Sequence, residues 1–191
     1  AEARILAGFG FNCFSWIVPV GGRRIEALWQ HPEFADGTQR PSGSGIPLLF
    51  PFPGRIASGR FEWDGRVYSL PANDNRGNAI HGFVHERPWR VLHQTATTLR
   101  GEFQASLDGP DIRNLWPADF RIEARYTLDV RSLTLDITVY NPDQKPLPCG
   151  FGAHPYFRLP IGGDSAGRCV VSLPVRKQWE LAELLPTGKQ L

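Results

Sequence analysis

Three polar side chains of this chain stand in unusually apolar company: Arg55 in Phe-Pro-Gly-Arg-Ile, His81 in Ala-Ile-His-Gly-Phe and His154 in Gly-Ala-His-Pro-Tyr-Phe. A histidine titrates near neutrality and can donate or accept a proton in a reaction at pH 7. Pro155 pushes the backbone of His154 out of the helical region, and Gly152 allows another group to approach closely, so the His154 ring reads as held in place. The competing reading, for His81 and His154 alike, is a buried histidine satisfied by backbone carbonyls. His81 and His85 are four apart, a zinc-helix spacing, but Gly82, Pro88 and the lack of a Glu at position 82 argue against a helix and hence a metal site. Gly43-Ser44-Gly45 lacks a third glycine and runs into Pro47, so it cannot open a nucleotide-binding helix. Ser42 and Ser44 have no nucleophile-elbow context.

These residues sit in three long, nearly uncharged loops rich in Gly, Pro and aromatics: 41–59, 73–89 and 146–160. That is the composition of a pocket wall more than of solvent-facing connections. The elements around them read as strands. Phe120, Ile122, Ala124, Tyr126, Leu128 and Val130 alternate with polar residues, and the alternation restarts at Leu133 after Arg131-Ser132, which predicts a half-buried antiparallel hairpin. A second hairpin spans Phe61 to Leu70 around Asp64-Gly65, a type I′ signal. Shorter strands are predicted at Cys13 to Pro19, Arg24 to Trp29, Trp89 to Gln94, Leu99 to Leu107 and Cys169 to Leu173. The best helical window, Gln178 to Leu185, is barely two turns. The pattern predicts an all-β fold, a sandwich or barrel in a single domain over residues 1–191. Trp16, Trp63, Trp89 and Trp116 are expected in its core.

Hydrophobic residues make up 41% of the chain and aromatics 12%, which excludes intrinsic disorder. Twenty-one dispersed basic residues against nineteen acidic ones leave +2, which implies no nucleic-acid or anionic-membrane partner. Cys13, Cys149 and Cys169 are odd in number and widely spaced, unlike a disulfide framework, so a reducing compartment is expected. The uncharged stretch from Ile5 to Gly22 is broken by Asn12, Ser15, Pro19 and glycines and lacks a cleavage site, so it reads as neither signal peptide nor span. The expected location is cytoplasmic.

The runs Gly45-Ile46-Pro47-Leu48-Leu49-Phe50-Pro51-Phe52-Pro53-Gly54-Arg55-Ile56, Asn78-Ala79-Ile80-His81-Gly82-Phe83 and Gly150-Phe151-Gly152-Ala153-His154-Pro155-Tyr156-Phe157 resemble, in order and spacing, the aldose 1-epimerase (mutarotase) family. Leu115-Trp116-Pro117-Ala118-Asp119-Phe120 and Leu185-Pro186-Thr187-Gly188 add to the match. The resemblance implies a large antiparallel β-sandwich, the galactose mutarotase-like supersandwich, that binds a monosaccharide and interconverts its α and β anomers without metal or cofactor. It further implies His154 as general acid on the ring oxygen, His81 as a second polar contact that polarises or holds the sugar, and Arg55 as an orienting donor. Galactose mutarotases typically carry Asn after Tyr-Phe and a second Gly after His-Gly; Arg158 and Phe83 stand there in this chain.

The family's base is a carboxylate, accompanied by a sugar-binding Asp, in a C-terminal part beyond Leu191. The expectation is therefore a sandwich lacking its C-terminal part. Within the chain Glu62, Glu123, Asp129, Glu180 and Glu183 are the candidate substitutes, none in pocket-like sequence. Two alternatives stay open beside a hexose epimerase. One is a non-catalytic carbohydrate-binding protein. The other is a hexose-6-phosphate 1-epimerase, for which Arg60 and Arg158 are the cationic candidates.

Overall fold

The computed structural model describes residues 1–163 and 165–191. Strands β1 (Glu2–Leu6), β2 (Asn12–Val20) and β3 (Arg23–Glu26) form one antiparallel sheet in chain order. Four short strands and a hairpin partner lead away from it: β4 (Leu48–Leu49), β5 (Arg55–Ile56), β6 (Arg60–Trp63), β7 (Arg66–Ser69) and β8 (Ala79–Ile80). β6 and β7 are the expected hairpin, and Asp64 and Gly65 both adopt the positive φ that a type I′ turn needs. The main sheet follows, with β9 (Arg90–Gln94), β10 (Thr98–Gln104), the one-turn helix α1 (Ala105–Asp108), β11 (Arg121–Leu128) and β12 (Leu133–Tyr140). Its order is β12-β11-β10-β9, antiparallel throughout. β13 (Gly152–Ala153), β14 (Trp179–Ala182) and β15 (Leu185–Gln190) complete the chain.

Period-two alternation sets which face is buried. Ile122, Ala124 and Tyr126 of β11 point inward with at most 2% exposure, and Ala3 and Ile5 of β1 pack toward the same core. The sandwich is filled by aromatics: Phe11 stacks on Trp89 with centroids 5.3 Å apart, and Phe50 meets Phe120 edge-on at 5.0 Å. A Cβ at Gly101 of β10 would overlap the Phe11 ring, so the strand carries glycine where that ring lies against it.

The structure corrects several sequence expectations. The strand from Leu99 ends at Gln104 because Asp119 accepts hydrogen bonds from Gln104 Nε2, Ser106 N and Ser106 Oγ at 2.7–2.9 Å, which turns the chain into α1. The window 178–185 is a hairpin of β14 and β15, not a helix, with Glu183 and Leu184 in left-handed conformation at its turn. No strand forms over 169–173; Val170, Val171 and Leu173 have no neighbouring strand among the described residues and are exposed. The long strand stops at Leu128, leaving Val130 exposed in the loop to β12. Trp89 and Trp116 are core residues as expected and Trp16 is half-buried, whereas Trp63 stands on the outer face of β6. Among the described residues no helix is long and apolar enough to cross a membrane.

Candidate functional site

The three loops expected to carry chemistry are laced together by their backbones, with residues 45–56 in the middle. On one side β5 pairs with β8, Arg55 opposite Ile80, and the amide of Phe83 donates to the Phe50 carbonyl at 2.8 Å. On the other, β4 pairs with β13, and the amides of His154 and Tyr156 donate to the carbonyls of Pro47 (3.1 Å) and Gly45 (2.8 Å). Backbone groups of long loops must find partners when water is excluded, and here the loops supply them to one another. The contact is close: Gly82 has φ +73°, and a Cβ on it would overlap the Phe50 carbonyl.

This lacing delivers His81, His154 and Arg55 to one place. The rings of His81 and His154 lie 6.3 Å apart between centroids, and His154 stacks on Tyr156 at 4.7 Å. His81 is held in a left-handed conformation, φ +69°, unusual for a residue with a Cβ. Its amide donates to the Gly54 carbonyl at 2.9 Å, and its Nδ1 accepts from the Gly54 amide at 3.3 Å. An Nδ1 that accepts leaves the proton of a neutral imidazole on Nε2, so His81 presents a donor. Burial, reinforced by the charges of His85, His154 and Arg55, pushes His81 down to about 4, which keeps it neutral at pH 7.

Arg55 is fixed by a partner that the sequence reading did not identify. Its Nε donates to Asp74 Oδ2 at 2.8 Å, with the Asp74 side chain only 5% exposed. Asp74 also accepts from the amides of Arg76 and Asn78, both 2.8 Å, and from Asn78 Nδ2 at 3.1 Å. Against a desolvation that would raise it, these bonds hold the Asp74 carboxyl well below the usual carboxylate range, so it remains an anion that orients Arg55. The only sequence signal for it is Asn73-Asp74-Asn75-Arg76-Gly77-Asn78, a polar run of the sort that makes Asx turns.

His85, considered above only for its spacing from His81, is buried in a 3-10 turn with its ring 6.1 Å from that of His81. Burial pushes it down to about 4, and its Nδ1 has no hydrogen-bond partner. A cavity of about 250 Å³ opens beside His81, walled by Arg55, Asp74 and His85, with Arg40, Arg76 and Glu86 also lining it. Of the carboxylates named from sequence, Glu62 lies on β6, Glu123 on β11 beside Arg121, Asp129 in the loop to β12, Glu180 on β14 and Glu183 in the turn after it; none lines this cavity. Arg60 and Arg158 do not line it either.

Residues 7–191 match the family model of aldose 1-epimerase. The uncharacterized protein YihR of Escherichia coli is 32% identical over 140 residues, covering 71% of this chain and 42% of that protein. Rat galactose mutarotase is 31% identical over 105 residues, 55% of this chain and 29% of the mutarotase. Among solved structures, a galactose mutarotase-like protein from Clostridium acetobutylicum superposes with a TM-score of 0.82 at 25% identity, over 99% of this chain and 58% of that one. A homologue of the family from Caenorhabditis elegans gives 0.77 at 18% identity, which speaks for the fold alone. The chain thus spans about three fifths or less of the length of these relatives, in the same β-sandwich fold. With the family model matched over nearly all of its residues, this chain belongs to the aldose 1-epimerase family.

Proposed function

We propose that the protein interconverts the anomers of a monosaccharide by acid/base opening and closure of the sugar ring. The observation that carries this reading is the juxtaposition of His81 and His154, brought from two loops onto opposite sides of residues 45–56, with Arg55 anchored beside them. In the forward step His154 donates a proton to the ring oxygen as the C1 to ring-oxygen bond breaks, while a base removes the proton of the C1 hydroxyl, leaving an open-chain aldehyde. Rotation about the C1–C2 bond exposes the other face of the carbonyl, and the reverse proton transfers close the ring on it.

Neutral at pH 7, His81 serves through its Nε2 proton as a hydrogen-bond donor to a sugar oxygen and not as the proton source. Arg55, its direction set by Asp74, orients the sugar. Asp74 is committed to Arg55 and two amides, and Glu86 is 58% exposed, so neither is assigned as the base. The resemblance gives that role to a carboxylate, and no carboxylate among the described residues is assigned to it.

The test is polarimetry of freshly dissolved α-glucose and α-galactose. The expected result is acceleration of at least one over buffer, lost in His154→Gln; no acceleration by the intact protein of either, or of a charged hexose such as glucose 6-phosphate, overturns the reading.

A further inference from the structure

Two cations at the cavity beside His81 have no role in ring opening. Arg40 and Arg76 both line it, and among the described residues neither guanidinium has a hydrogen-bond or ion-pair partner. Every other charge at the cavity is accounted for. Arg55 and Asp74 neutralise each other at 2.8 Å, and Glu86, 3.6 Å from the neutral His85, adds one carboxylate that keeps most of its side chain in solvent. Three arginines against two carboxylates leave the cavity net positive in a chain whose overall charge is only +2. At about 250 Å³ the space falls just below the roughly 300 to 1,000 Å³ usual for small-molecule sites, which suits one sugar ring and not an oligosaccharide.

We infer that the monosaccharide taken by this site is anionic, with a phosphate or carboxylate group received by Arg40 and Arg76 while its ring lies beside His81, the one member of the His81–His154 pair that lines the cavity. Guanidinium groups match both anions through two parallel N–H donors, and such charge-assisted bonds are about twice as strong as neutral ones. A neutral hexose would offer these exposed guanidiniums only neutral acceptors, which replace water at little gain. The inference rests on the epimerase reading for the orientation of the sugar, and its binding test stands apart from catalysis.

The test is isothermal calorimetry of the protein with glucose, glucose 6-phosphate and glucuronate, at low and at physiological ionic strength, and with the double variant Arg40→Gln, Arg76→Gln. Both arginines are exposed and unpaired, so the variant is expected to fold. At least one charged sugar should bind roughly tenfold or more tighter than glucose. That advantage should shrink with salt and vanish in the double variant, and the two charged sugars tell phosphate from carboxylate recognition. Equal affinity for all three sugars, binding of none, or an advantage that survives the double substitution overturns the inference. Anomer exchange followed by NMR on the same sugars separates the two claims. Accelerated glucose exchange with no preference for a charged sugar removes only the inference, whereas tight binding of a charged sugar with no acceleration of any sugar removes only the epimerase.

Discussion

Replacing His85 with Leu should flatten the acid side of the stability profile. The His85 ring is buried at 4% exposure and held down from an ordinary 6.5 to about 4 by desolvation. A histidine whose folded value lies below its unfolded value binds its proton more readily in the unfolded chain. Stability is therefore fully present above about pH 6.5, falls as the pH drops, and levels off below about 4. At pH 5 the unfolded chain carries nearly one proton on this residue and the folded chain about a tenth of one, a slope of about 1.2 kcal/mol per pH unit. Integrated from pH 6 to 5, the His85 share is about 1 kcal/mol, approaching a limit of about 3 kcal/mol at low pH.

The measurement is urea denaturation followed by tryptophan fluorescence at pH 7, 6 and 5, comparing the protein with His85→Leu. The other titrating groups are common to both, and His81, which faces His85, is itself held mostly neutral over this range by burial, so the difference reports chiefly the His85 imidazole. The wild type should lose about 1 kcal/mol more than the variant between pH 6 and 5. At pH 7 the variant should be no less stable, since the Nδ1 it removes has no partner to orphan. Parallel profiles for the two proteins would refute the claim that burial holds His85 neutral, and with it the neutral surroundings assigned to His81.

Three further outcomes are expected. His154→Gln should lower kcat by about 10²-fold or more with KM little changed, since proton transfer belongs to the transition state; an unchanged kcat removes His154 as the acid. Arg55→Ala should raise KM and lower kcat together, and Asp74→Asn should do the same more weakly by loosening the guanidinium; a loss of stability alone, with kinetics intact, would make the pair structural. Gly101→Ala should cost about 1–3 kcal/mol in denaturant unfolding, because the Phe11 ring it meets is fully buried and cannot move aside; a neutral effect would mean that the core yields there.

The parts of the fold legible in sequence are those whose signal is local. Asp64-Gly65 sets its own turn because both residues tolerate positive φ, and the alternation of 121–128 against 133–140 fixes which face of that hairpin meets the core. The misread elements depend on neighbours. The strand from Leu99 is cut short by Asp119, fifteen residues beyond Gln104. The β14–β15 turn places Glu183 and Leu184 in left-handed conformation with neither Gly nor Asn, so the residues that usually mark such a turn are missing. Val170 and Val171 have the propensity for a strand and no strand beside them among the described residues, and propensity alone does not make a sheet.

The site divides along the same line. Arg55, His81 and His154 stand out in sequence because each is a polar group in an apolar loop, a contrast visible without knowing where the loop goes. Asp74 stands among other polar turn residues, and what distinguishes it is the Arg55 guanidinium arriving from nineteen residues away. His85 shows the opposite case: its spacing from His81 evoked a metal-binding helix, while the fold uses a 3-10 turn to bury its ring against His81. Residue type gave both histidines the capacity to carry a proton near neutrality, and burial withdraws it from His81 and His85. His154 stands exposed with its ring stacked on Tyr156, so the difference between the buried and the exposed histidines follows from the packing of their loops and not from residue type.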